Sequence, residues 1–190
     1  MPAPPPVEAL LLVDLQRAFV DGPDAVPDGE RVLATARRLL AAARGAGALV
    51  VQLQNDGRPG TVDEPGAPGW ALALAPTGDE PVIRKREDDG FAGTPLAATL
   101  DGRGVRSLAI AGVLSEMCVA ATARTALARG LRVVLPHDGH ATYDVPPAPG
   151  ILERVPAALA ARAAEWSLGD EVEIVPEATA VRFVATRPGD

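Results

Sequence analysis

Ser107-Leu108-Ala109-Ile110-Ala111-Gly112-Val113-Leu114-Ser115-Glu116-Met117-Cys118 is the stretch on which the fold turns. Ser107–Ala111 is apolar without strict alternation, the pattern of a strand covered on both faces in a parallel sheet. Beyond Gly112, the Ala-rich segment Ser115–Arg129 reads as a helix that stops at Gly130. The same alternation extends in both directions. Ala9–Val13, Ala48–Leu53, Pro81–Ile83, Arg132–Leu135 and Glu171–Val175 are five further Val/Leu/Ile-rich runs. Between them, Glu30–Gly45 carries Val32, Leu33, Ala36, Leu39 and Leu40 at helical spacing, and Thr94–Leu100 is a shorter helix. Ile151–Trp166 is another Ala-rich helix, which Pro156 restricts to a start near itself or kinks. Strands alternating with helices predict a parallel sheet with helices on both faces, and right-handed crossovers make it doubly wound.

Composition narrows the class. At 190 residues and 47% hydrophobic, the chain is one ordered domain rather than a disordered segment. Aromatics are only 3%, so Ala, Val and Leu must fill that core. No apolar run reaches the roughly 18 residues of a membrane helix. Met1–Pro6 lacks the basic start of a signal peptide, and a single cysteine cannot form an internal disulfide; both fit a cytoplasmic protein. The net charge of −7 and the absence of a Lys/Arg stripe argue against nucleic acid as a partner. Asp56–Pro81, rich in Gly and Pro, is a long connection able to fold over a site as a lid. Val145–Gly150 is a second Pro-rich loop, and the termini read as mobile tails.

In an open parallel sheet, ligands bind beyond the C-terminal ends of the strands. Three polar groups fall there: Asp14 directly after Ala9–Val13, Lys85 two residues after Ile83, and Cys118 after Ser107–Ala111. Of the basic residues only Lys85 is a lysine, a hint that a compact ammonium is required where guanidinium serves elsewhere. With Ser115 as N-cap, Cys118 stands near the third helical position, where the helix dipole and a nearby Lys85 lower a thiol's pKa. Asp14 is then placed to take the thiol proton, or to hold Lys85, and later to activate water. Each residue has a plain alternative: a buried structural Cys, a loop carboxylate, a surface charge.

Leu11-Leu12-Val13-Asp14-Leu15-Gln16-Arg17-Ala18-Phe19 resembles the strand-Asp-x-Gln-x-x-Phe opening of the isochorismatase-like hydrolases, which include nicotinamidases and carbamoylsarcosine amidohydrolases. Val82-Ile83-Arg84-Lys85 with Phe91 downstream resembles their lysine segment, and Gly112–Val119 their nucleophile segment, with Ala126 and Gly130 in the helix that follows. Asp138 matches the acidic residue that ends their next strand. The resemblance spans about residues 8–185 and implies a three-layer, Rossmann-like α/β/α fold with a six-stranded parallel sheet. It implies a thioester route for small amides or lactams, with Asp14, Lys85 and Cys118 as catalytic triad. It also implies a cis Val113–Leu114 peptide that turns the Leu114 and Cys118 N–H groups toward an oxyanion, and assembly into dimers or tetramers. Ala164-Glu165-Trp166-Ser167-Leu168-Gly169-Asp170 is similar to the streptothricin hydrolase branch, which opens a lactam. A vinyl-ether hydrolase or a non-catalytic protein on the same fold are the alternatives.

Nicotinamidases bind a metal through an Asp-x-His pair and a further His near the end of the second strand. Here that region reads Gln52-Leu53-Gln54-Asn55-Asp56-Gly57, so no metal and no cofactor is expected. The two histidines lie in Pro136-His137-Asp138-Gly139-His140, leaving open a Cys118–His140 dyad, a loop role, or a weaker metal set of His137, Asp138 and His140. Phe19, Trp70, Phe91 and Tyr143 read as pocket wall or as core, and Glu116 and Asp144 as selectors of cationic or polar substrates.

Overall fold

The computed structural model describes residues 4–186. Seven strands form one parallel sheet: β1 (Ala9–Val13), β2 (Leu49–Asn55), β3 (Val82–Lys85), β4 (Ser107–Val113), β5 (Arg132–Pro136), β6 (His140–Ala141) and β7 (Glu173–Val175). Their order is β3-β2-β1-β4-β5-β7, with the two-residue β6 pairing with β4. Six of these are the runs read from sequence; β6 is too short to leave a periodic signal. Val7 and Phe183 form an isolated bridge, so the described parts of the terminal segments are tied together rather than loose. The outermost ends of the expected tails lie outside the described residues.

Helices cover both faces. The helix α1 is Arg17–Val20, α2 Gly29–Ala46, α3 Leu96–Asp101, α4 Ala120–Ala128 and α5 Ala157–Trp166. On α2, Val32, Leu33, Ala36, Leu39, Leu40 and Ala43 make a buried stripe against Leu10, Leu12 and Val50. Gly47 then ends the helix at φ 71, a left-handed conformation that glycine adopts without steric cost. On the opposite face, Ala120, Ala123 and Ala126 of α4 pack with Leu96, Leu100, Leu11 and Ile110. With so few aromatics, small alanines bring α4 close to the sheet and leave little void to fill. As Pro156 required, α5 begins at Ala157.

The strand order reverses at β1, which is flanked by β2 on one side and β4 on the other. That switch point opens a crevice at the strands' C-terminal ends. The two strands approach so closely that a Cβ on Gly112 would collide with the Val13 carbonyl. Gln16 ties the long connection down at this edge. Its amide donates to the Asn55 and Trp70 carbonyls at 3.0 and 3.1 Å and accepts the Asn55 N–H at 2.8 Å.

Candidate active site

Each of the three polar residues expected at the strand ends is delivered by its own element. Asp14 follows β1 with φ 50, a left-handed conformation unusual for a residue with a side chain. Lys85 is the last residue of β3, a strand that alternates exposed and buried positions, so Lys85 points inward with Ile83. Cys118 lies in the single π-helical turn Ser115–Val119 between β4 and α4, and the Val113–Leu114 peptide before it is cis, as the resemblance implied.

The three converge on the lysine. Lys85 Nζ lies 2.7 Å from Asp14 Oδ2, donates to Cys118 Sγ at 3.3 Å, and donates to the Glu87 carbonyl at 3.1 Å. An ammonium has three hydrogens, and here each has an acceptor. Asp14 and Lys85 are 1% and 2% exposed, whereas Cys118 is only partly buried and can be reached from outside. The second Asp14 oxygen, Oδ1, is buried with no hydrogen-bond partner among the described residues. An unsatisfied buried acceptor costs about 1–3 kcal/mol, and one in a crevice marks a place where chemistry can use it.

Burial raises the Asp14 carboxyl above its ordinary range, although the Lys85 charge pulls it back. For Lys85, burial opposes the ammonium, but Asp14 and Cys118 outweigh it and the net shift is upward. The thiol departs from the sequence expectation. Burial raises the Cys118 pKa, the Asp14 charge adds to that, and Lys85 only partly offsets both. Ser115 does not act as the cap that was to help: the N-cap position is Leu114, and no side chain caps the turn. Burial and the neighbouring Asp14 thus hold the thiol against ionisation rather than priming it as a thiolate.

The Leu114 carbonyl accepts the N–H groups of Met117 and Val119 at 3.2 and 3.1 Å, passing over that of Cys118. A carboxylate that the sequence did not single out, Asp88, accepts the thiol at 3.7 Å. The expected pocket walls divide. Trp70 sits on the long connection with Nε1 on Asp56 and the Arg84 guanidinium 5.1 Å from its ring. Phe19 and Tyr143 pack against the α2-side core, and the Tyr143 hydroxyl donates to the Asp24 carbonyl. Phe91 lies under Arg129, the residue that follows α4, and packs against the second core. Glu116 accepts a hydrogen bond from Thr142, and Asp144 accepts the Ala157 N–H at the start of α5. A cavity of about 400 Å³ between α1 and the long connection is lined by Arg17, Ala18, Val62 and Pro68.

His140 makes no dyad with Cys118. Its Nδ1 pairs with Ser115 Oγ at 2.8 Å and its Nε2 with Glu165 Oε1 at 3.0 Å, which His137 Nδ1 also approaches, at 2.6 Å. Asp138, named earlier with the histidines, turns away to accept the Ala178 N–H. Among the described residues, the atoms able to hold a metal are those of His137, His140 and Glu165, within 4.8 Å of one another. Their spacing is that of hydrogen bonds, and Arg162 neutralises the other Glu165 oxygen from 3.4 Å. No helix among the described residues is long and apolar enough to cross a membrane.

Both the sequence and the fold match known proteins. The isochorismatase domain model matches residues 8–163. The chain is 67% identical over 182 residues to a streptothricin hydrolase of Streptomyces noursei, covering 95% of this chain and 72% of that protein. A second streptothricin hydrolase from the same organism is 67% identical over 181 residues, and this chain spans 66% of its length. The fold is similar to that of an isochorismatase from Pseudomonas putida KT2440, with a TM-score of 0.85 and 28% identity, covering 94% of this chain and 93% of that one.

Proposed function

Because this chain belongs to the isochorismatase family and is a hydrolase of non-peptide C–N bonds, we propose that Asp14, Lys85 and Cys118 are its catalytic triad and that it opens a streptothricin-type lactam. One observation carries the reading: the buried Lys85 ammonium touches both Asp14, at 2.7 Å, and the partly exposed Cys118 sulfur, at 3.3 Å. Asp14 Oδ1 takes the thiol proton as Sγ attacks the lactam carbonyl, and Lys85 stabilises the sulfur as it becomes negative. The N–H groups of Leu114 and Cys118 serve the oxyanion. Collapse breaks the C–N bond, Asp14 returns the proton to the departing nitrogen, and a thioester remains. In a lactam that amine stays tethered to the acyl group. Water then loses a proton to Asp14, adds to the thioester carbonyl and releases Cys118, which recovers the proton.

Asp88 and Glu116 give the mouth a negative lining that favours an amine-bearing substrate, with Phe19, Trp70 and Tyr143 as candidate walls. Self-association fits the exposed apolar residues Leu159 and Trp166, seven positions apart on one face of α5, and Ile151 and Leu152 in the preceding loop. The lone thiol suits a reducing, cytoplasmic setting. Incubation with streptothricin is the test: the product should gain the mass of one water, and Cys118→Ala should abolish the gain. Turnover by Cys118→Ala, or a substrate left intact by the wild type while simple amides are cleaved, would defeat the nucleophile or the lactam assignment respectively.

A further inference from the structure

Ser115, His140 and Glu165 are polar, come from three different elements, and are all at most 2% exposed. They form one chain of contacts. The Glu165 carboxylate accepts from His140 Nε2 at 3.0 Å, and His140 Nδ1 meets the Ser115 hydroxyl at 2.8 Å. His137 and Arg162 complete the Glu165 carboxylate from the solvent side. The two histidine contacts hold the Glu165 pKa below the usual carboxylate range although burial alone would raise it. In the neutral imidazole, an ionised acceptor at Nε2 makes that nitrogen the donor, which leaves Nδ1 to accept the Ser115 hydroxyl hydrogen.

These three residues have the constellation of a hydrolytic serine triad, but no substrate can reach a serine this deeply buried. The chain instead ends on the turn that carries Cys118. Strand β6 places His140 in register with Gly112, two residues before Leu114, and α5 packs over the turn. Ser115 would ordinarily spend its hydroxyl on capping its own helix, and here it is directed away, to His140. We propose that Glu165, His140 and Ser115 are positioning residues that fix the turn from Leu114 to Cys118, so that its backbone N–H groups point at the oxyanion. The proposal rests on Cys118 being the nucleophile, as inferred above.

Two reactions of Cys118 separate this role from general structural support. Acylation by p-nitrophenyl acetate passes through an oxyanion and needs the backbone donors. Alkylation by iodoacetamide consumes the same thiol and forms no oxyanion. With both rates measured at pH 9, Ser115→Ala should slow acylation about ten- to a hundredfold, the range expected for a misplacement on the order of 1 Å. It should leave alkylation within about threefold. Ser115→Thr, which restores the hydroxyl, should recover most of the acylation rate. The Ser115→Ala/Glu165→Gln pair should be no slower than the slower single variant, because both cut one chain. The proposal is overturned if Ser115→Ala acylates like the wild type, if the two rates fall by the same factor, or if the losses in the double variant multiply. Should Glu165→Gln fail to fold, the two Ser115 variants decide alone. A p-nitrophenol burst surviving in Cys118→Ala would instead refute the nucleophile assignment.

Discussion

Replacing Lys85 by Met keeps the length and apolar stem of the side chain and deletes the charge between Asp14 and Cys118. At the 2.7 Å separation of Nζ and Asp14 Oδ2, and with an effective dielectric constant of about 20, the attraction removed is about 6 kcal/mol. Burial already pushes that carboxyl up, so without Lys85 it should be protonated at neutral pH and unable to accept the thiol proton. Loss of a general base costs roughly 10²–10⁴ in rate. The stability cost has a ceiling, because the carboxyl can protonate rather than remain as a buried charge. Protonating a group whose unfolded pKa is about 3.9 costs at most about 4 kcal/mol at pH 7. The variant's Asp14 pKa is higher folded than unfolded, so the folded variant holds the extra proton and the deficit shrinks as pH falls, by about 1.4 kcal/mol per unit, to almost nothing near pH 4. Urea unfolding of wild type and variant at pH 7 and pH 5, beside turnover of streptothricin, measures both effects. A deficit that does not change between the two pH values, or turnover near that of the wild type, would refute the coupling of Asp14 to Lys85.

Lys85→Arg keeps the charge, but a planar guanidinium cannot reproduce three contacts diverging from one nitrogen; a rate loss of about a hundredfold with near-normal thermal unfolding is expected, and full turnover would contradict it. The raised thiol pKa means less thiolate at neutral pH than an ordinary cysteine holds, so alkylation of resting Cys118 at pH 7 should be slower than that of free cysteine and climb through pH 9; a plateau below pH 8 would contradict this. Both amide atoms of Gln52 are buried without partners among the described residues; Gln52→Met should raise stability by about 1–2 kcal/mol in denaturant unfolding and leave turnover intact, whereas destabilisation would mean the amide is satisfied in solution. Dialysis against a chelator should leave the rate unchanged; a loss reversed by zinc would direct attention to His137, His140 and Glu165.

The boundaries of the strands were readable where apolar runs end in charge or glycine: Ala9–Val13 is β1 to the residue, and Ser107–Ala111 falls short of β4 by only two. The position of Asp14, Lys85 and Cys118 was readable because parallel strands all deliver their next residues to one edge. What the sequence concealed is long-range. His140–Ala141 forms a strand only because Gly112 and Val113 lie alongside, and two residues carry no period. Glu165, in an Ala-rich helix beside Trp166, looks like a solvated charge until β6 and the turn at Ser115 are packed against it. The upward shift of Cys118 is hidden for the same reason: helix position and a neighbouring cation are visible in one dimension, and the desolvation that outweighs them is not.

The burial of Lys85 has a use apart from catalysis. No other side chain in the protein carries a primary amine, and this one is sealed in the fold. While the domain stays closed, an amine-directed reagent finds no accessible side-chain amine in this chain. Each Lys85 adduct then records a separate opening of the β3 edge, so the labelling rate becomes a clock for that event. No reporter group has to be introduced, because the residue holding the site together is also the tag that reveals when it comes apart.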